Sequence, residues 1–221
     1  MKHFVIGDIH GGHKALVQCL QRSGFRYDKD ELICLGDVVD GWPETPQCIE
    51  ELLKIKHLVY IMGNHDAWAD RWFRLTDCPD LWTSQGGQAT IDAYLKDIEL
   101  LEKHHEYFVG KPYAYIDEDN RLFVHGGIDP EVSLEENTAE TLMWSRDLAI
   151  HPRQIGEYRE VYIGHTSVHS ISSVPIMAYN IIMMDTGGGY EGKLSVMNVK
   201  TKKIWQSDKV STLYPGFHGR E

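Results

Sequence analysis

Cysteine is scarce in this chain, and basic residues are outnumbered. The four cysteines, Cys19, Cys34, Cys48 and Cys78, form no C-x-x-C pair, so neither a zinc-ribbon nor a dithiol redox motif is present. Cys19 and Cys34 lie within apolar stretches, where a buried free thiol is expected. Lys and Arg number 22 against 33 Asp and Glu, a net charge of −11. That balance argues against a broad basic surface for duplex nucleic acid, so positive charge for an anionic substrate must be local. No run is long and apolar enough to span a membrane, and residues 1–6 lead into a strand rather than a signal-peptide core. The expected setting is therefore cytoplasmic, with no membrane partner. Repeats, low-complexity tracts and linkers are also missing, and 221 residues suit one α/β domain, 1–221, with a sizeable core.

Five short blocks carry the chemistry: Gly7-Asp8-Ile9-His10-Gly11, Gly36-Asp37-Val38-Val39-Asp40, Gly63-Asn64-His65-Asp66, His125-Gly126-Gly127 and Gly164-His165-Thr166. Each follows a strand-like apolar run. Asp8, Asp37 and Asn64 are spaced close to the ~30 residues of a strand–helix–strand unit. The first three blocks should therefore emerge together at the carboxyl ends of adjacent parallel strands, where sites in such sheets lie. Strands are expected at 3–7, 31–35 and 58–62. Helices should follow, carrying Ala15, Leu16, Cys19 and Leu20, then Ile49, Leu52 and Leu53. A further helix is expected from 88 to about 105, with Ile91, Tyr94, Leu95 and Ile98 on one face, and another over 138–150. Strands at 114–116, 121–124, 160–163, 181–184, 194–199 and 203–206 should form a second, mixed sheet packed on the first. Residues 214–221 read as a loosely ordered tail.

Asp8 and His10 alternate on extended backbone and can reach one cation. Asp37, ending the neighbouring strand, is the best carboxylate to bridge two, and Asn64, His125 and His165 complete the second ion. This oxygen and imidazole set without thiolate suits two divalent ions, Mn2+ first, with Fe or Zn2+ as alternatives, better than Mg2+ or Ca2+. His65, beside Asn64, is placed to protonate a leaving oxygen, with Asp40 orienting its ring. Asp66 is expected to cap a helix over 67–73. Arg146 has the guanidinium geometry to clamp two phosphoryl oxygens, although alone it fits a surface ion pair equally well.

The ordered blocks resemble the calcineurin-like metallophosphoesterases, specifically their phosphoprotein-phosphatase branch, from Gly7 to about Gly188. The resemblance implies an αββα sandwich of two mixed sheets flanked by helices, with a binuclear metal site at the strand ends. It carries over Asp8, His10, Asp37, Asn64, His125 and His165 as metal ligands, His65 with Asp40 as the acid pair, and Arg146 as a phosphate arginine. Asn64 is also expected to face the substrate. Asp185, in Ile182-Met183-Met184-Asp185-Thr186-Gly187, is expected to stabilise a turn rather than to ligate.

One departure matters. The second block of the family continues Asp-Arg-Gly, whereas Asp40 here is followed by Gly41 and Trp42. Lys14, Arg71 and Arg74 are candidates for a compensating charge, with no position given for them by the sequence. Trp42 could stack on a base, although a tryptophan there is more often packing. The role of the Gly-rich segment 83–90 is open between a substrate-side loop and a simple turn. The expected activity is a metal-dependent phosphomonoesterase of Ser/Thr protein-phosphatase type, with a metal-bridging hydroxide attacking phosphorus in line. Its substrate would be a phosphorylated protein or a small phosphoester. The alternative is a nucleotide-directed phosphohydrolase, such as a symmetrical diadenosine tetraphosphatase or an RNA-end or cyclic nucleotide phosphoesterase. A catalytically silent binding module is disfavoured because every ligand and the acid histidine are present.

Overall fold

Three short apolar runs form the parallel centre of the first sheet: β1 (His3–Ile6), β2 (Glu31–Cys34) and β3 (His57–Tyr60) in the computed structural model, which describes residues 1–220. Ile6 pairs with Cys34, and Cys34 with Tyr60. The three strands therefore end level, and the blocks that follow them emerge side by side. The second sheet comprises β4 (Ala114–Ile116), β5 (Arg121–Val124), β6 (Glu160–Ile163), β7 (Ile176–Ala178) and β8 (Ile181–Met183). Its order is β4-β5-β6-β8-β7, with β5, β6 and β8 parallel and both edge strands antiparallel. Strand β7 was not expected from the sequence. The last two strands, β9 (Ser195–Asn198) and β10 (Ile204–Gln206), return to the first sheet rather than the second, giving the order β10-β9-β1-β2-β3. Strand β2 covers only one edge of β1, so β9 closes the other.

Side-chain alternation divides the core. Val5 and Ile33 point inward with Leu35 and Ile61, and they meet Phe123, Tyr162, Ile182 and Met197 between the sheets. Phe123 and Tyr162 stack there with centroids 4.7 Å apart. Phe4, Ile6, Leu32 and Cys34 point outward beneath the helices. The helices are α1 (His13–Ser23), α2 (Thr45–Leu53), α3 (Asn64–Leu75), α4 (Asp80–Trp82), α5 (Gln88–Tyr94), α6 (Ile98–Phe108), α7 (Ala139–Trp144), α8 (Asp147–Ile150) and α9 (Val210–Leu213). The result is a sandwich of two mixed sheets flanked by helices. None of the described helices is long and apolar enough to cross a membrane. Cys19, Cys34 and Cys48 are buried free thiols.

Two expected helices break. The run from 88 to 105 stops after Tyr94, because the Asp97 carboxylate accepts from Leu100 N at 3.0 Å and starts α6 afresh. Tyr94 is buried, but Leu95 and Ile98 are exposed. The run 138–150 opens with Thr138 capping Thr141 N, turns extended at Ser145, and resumes as α8. Arg146 stands in that break. The tail also differs from expectation through Arg220. Tyr214 is buried against Trp42, and Arg220 N donates to Gly189 O at 2.7 Å.

Candidate active site

Asp8, His10, Asp37, Asn64, His125 and His165 leave the ends of β1, β2, β3, β5 and β6, and all six are buried. Their ligand atoms form two groups within 4.8 Å, Asp8-His10-Asp37 and Asp37-His125-His165. Asp37 belongs to both. Its Oδ2 lies 3.7 Å from His10 Nε2 and 3.3 Å from His125 Nε2, yet among the described residues it has no hydrogen-bond partner. His165 Nε2 is likewise buried and unpartnered. His10 and His125 donate Nδ1–H to Val39 O (3.0 Å) and Leu35 O (2.8 Å), which turns each Nε2 toward the cluster. Asn64 Oδ1 lies 2.9 Å from His125 Nε2. Buried polar atoms left unpaired are costly. An oxygen and imidazole set with unpaired atoms converging on shared Asp37 fits two divalent cations.

The backbone is bent to make this arrangement. His10, Asp37, Asp40 and His165 have φ between 49° and 72°, the left-handed region that is strained for such residues. Two glycines allow the carboxylates in: a Cβ on Gly63 would fall 2.2 Å from Asp37 Oδ1, and one on Gly164 2.3 Å from Asp8 Oδ1. Asp66 secures the bend. It is not the cap of a helix starting at 67, because α3 already begins at Asn64. Its carboxylate accepts from Gly63 N (3.1 Å), Asp37 N (2.7 Å) and Val38 N (2.9 Å), tying two motif loops together.

The electrostatics are those of a crowded anionic cluster. Burial and the Asp185 charge push Asp8 well up. Burial opposes the Asp37 charge, but His125 and His65 outweigh it and hold that carboxyl well down. Burial would lower His125, yet facing Asp37 and Asp8 it rises to about 9. Burial and the charge on His125 drive His165 down to about 2, and burial with Arg220 keeps His10 well below its usual value. One imidazolium therefore sits where cations are wanted, with neutral imidazoles beside it.

His65 stands apart from the ligand groups. Its Nδ1 is 2.6 Å from Asp40 Oδ2, and its Nε2 is buried without a partner among the described residues. Asp40 is itself held by residues the sequence reading did not assign. Trp82 Nε1 donates to Oδ2 (2.7 Å), Thr90 Oγ1 donates to Oδ1 (2.7 Å), and Asp40 N donates to Thr90 Oγ1 (2.9 Å). The Gly-rich segment is thus the turn that brings Trp82 and Thr90 to Asp40. Its Gly86 O accepts from Gly41 N at 3.0 Å.

Around the rim, Arg146 Nη1 donates to His165 O and Thr166 Oγ1, each at 3.2 Å. None of the three cations considered for the missing charge reaches the cluster: Lys14 donates to Leu213 O, Arg71 pairs with Asp77, and Arg74 with Asp70. Trp42 is not a base platform, since it is buried, stacked on Tyr214 and donates to Gly188 O. Asp185 accepts from Gly187 N at 2.8 Å, a turn contact. Half-buried Trp68 packs edge-on against His65, and exposed Trp144 against both Trp68 and His165.

The profile of the calcineurin-like phosphoesterases matches residues 1–178. The chain belongs to that family. It is 27% identical over 204 residues to serine/threonine-protein phosphatase 2 of Salmonella typhimurium, covering 89% of this chain and 92% of that protein. It is 23% identical over 222 residues to an asymmetrical bis(5'-nucleosyl)-tetraphosphatase of Bacillus mycoides, covering 88% and 89%. A serine/threonine phosphatase from Saccharomyces cerevisiae shares the fold, with TM-score 0.68 at 14% identity over 99% of this chain and 82% of that one. The protein is therefore a metallophosphoesterase, and the family implies divalent metals.

Proposed function

We propose that the chain is a metal-dependent phosphomonoesterase of serine/threonine protein-phosphatase type, acting with two ions, Mn2+ first. Asp8, His10 and Asp37 would hold one ion, and Asp37, Asn64, His125 and His165 would hold the other. The observation that carries this reading is that Asp37 belongs to both ligand groups and that its Oδ2, facing His10 Nε2 and His125 Nε2, is unpaired among the described residues, as is His65 Nε2. The ions, when bound, polarise the phosphoryl oxygens and activate the attacking water. Hydrolysis joins a water oxygen to phosphorus and breaks the bond to the leaving oxygen. His65 Nε2 delivers the proton that this oxygen needs, while Asp40, fixed by Thr90 and Trp82, holds the ring in aim. Arg146 binds the phosphoryl oxygens from the His165 side, where charge builds in the transition state.

The second reading is a nucleotide-directed phosphohydrolase. It is supported by the Trp68–Trp144 wall, which offers ring faces and edges near His65 to a leaving group that carries a base, and by the similarity to a tetraphosphatase named as asymmetrical. The two readings part on one panel: an aryl phosphate, phosphoserine and phosphotyrosine peptides, and diadenosine tetraphosphate, each with added Mn2+. Turnover of phosphoserine peptides above the dinucleotide is the expected result. Turnover confined to the dinucleotide would replace the first reading by the second.

A further inference from the structure

In this acidic chain arginines pair with carboxylates. Arg22, Arg26, Arg71, Arg74, Arg121, Arg153 and Arg159 each do so. Among the described residues only Arg146 and Arg220 have no carboxylate partner, and each of them touches one of the two ligand groups, Arg146 at His165 and Arg220 at His10.

Arg220 reaches that position through a built path. Tyr214 lies flat on Trp42 with centroids 5.3 Å apart, and its hydroxyl accepts from Lys14 N at 2.9 Å. The segment that follows turns at Gly216, with Phe217 N donating to Tyr214 O, and is pinned where Arg220 N meets Gly189 O. The arginine stem then runs through a slot walled by glycines. A Cβ on Gly41 or Gly86 would lie 3.2 Å from Arg220 Cγ, and one on Gly189 3.2 Å from Cδ. At the inner end Nη1 lies 3.1 Å from His10 Nε2, Nη2 donates to Gln85 Oε1 at 3.3 Å, and the guanidinium covers the Tyr190 ring at 5.2 Å. Nε is buried with no hydrogen-bond partner among the described residues.

We propose that Arg220 is a substrate-binding residue, the guanidinium that grips the phosphate beside His10 while Arg146 grips it beside His165. The inference rests on the phosphoesterase reading of this site. It explains why Gly41 can stand where the family resemblance leads one to expect an arginine, because Arg220 fills the space above Gly41 from the other end of the chain. It also gives Nη1 a second state. A cation held at His10 Nε2 would take the lone pair that Nη1–H now uses, leaving that N–H, with the Nε–H that is unpartnered among the described residues, for an anion.

The test uses the full chain loaded with Mn2+ and two probes, inorganic phosphate for binding and p-nitrophenyl phosphate for turnover. Arg220→Ala should weaken phosphate binding roughly 10- to 100-fold, as expected when a charge-assisted contact is lost, and raise KM similarly with metal content unchanged. Arg220→Lys should recover part of the loss, and Arg153→Ala, paired with Asp147 at the surface, should leave phosphate binding as it was. Phosphate affinity of Arg220→Ala within twofold of wild type, with wild type active, would overturn the inference and leave the phosphoesterase reading standing. A loss that tracks departed metal would also overturn it, by making Arg220 a support of the cluster. Wild-type protein that binds no phosphate and turns over no ester would overturn the inference and that reading together.

Discussion

The floor of the site and its rim are made by different means. The floor takes Asp8, Asp37, Asn64, His125 and His165 from the ends of parallel strands in two sheets, so the register of each sheet fixes where they stand. The rim takes Trp82, Thr90, Arg146 and Arg220 from the end of a short helix, a helix start, a helix break and the segment after α9. In the proposed function the floor would hold the ions, and the rim would aim the acid and grip the substrate. Substitutions at the two should therefore separate metal content from proton delivery and substrate affinity.

The largest effect is expected at the junction of the two regions. His65→Asn should lower kcat by roughly 10²- to 10⁴-fold, the range for lost proton transfer, with metal content intact. The deficit should shrink for a dinitrophenyl phosphate, whose leaving group needs little protonation; equal losses on an alkyl phosphate would remove His65 from the acid role. Next comes Asp66→Asn in the floor. With fewer acceptors for Gly63, Asp37 and Val38 N–H, it should lose about 2–3 kcal/mol of stability by denaturant titration. Thr90→Val in the rim should cost about tenfold in kcat through a loosened Asp40. Unchanged stability and metal content would separate that loss from damage to the fold. Smallest is a proton count. His125 lies near 9 in the ion-free cluster, so near neutral pH it is protonated, and Nε2 must lose that proton to accept a cation. Metal uptake should release up to about one proton from this residue, and apparent affinity should climb with pH until about 9. Calorimetry in two buffers of different ionisation enthalpy measures the release.

The same contrast explains what was legible in the sequence. A strand end converts spacing into position, so Asp8, Asp37 and Asn64 could be grouped from the near-constant length of their connecting units, and the sandwich followed. Short polar signals inside helical patterns were harder to read. Asp97 and Ser145 interrupt runs whose apolar spacing looks continuous, because local hydrogen bonding competes with the helix. Strands β9 and β10 were seen but assigned to the wrong sheet, since no local pattern records which edge of β1 is free. Thr90, Trp82 and Arg220 act on residues far away in the chain. The Gly-rich segment around Gly86 hinted at the first two, and the absent arginine after Asp40 was the only trace of the third.

Metal content measured on wild-type protein and Asp37→Asn after reconstitution with excess Mn2+ tests the shared-ligand account most directly. Asp37 belongs to both ligand groups, so wild type should hold two ions per chain, and the variant should bind both weakly and lose them on desalting. A variant that keeps its full two-ion complement would contradict the account, because the cluster would then not be built around Asp37.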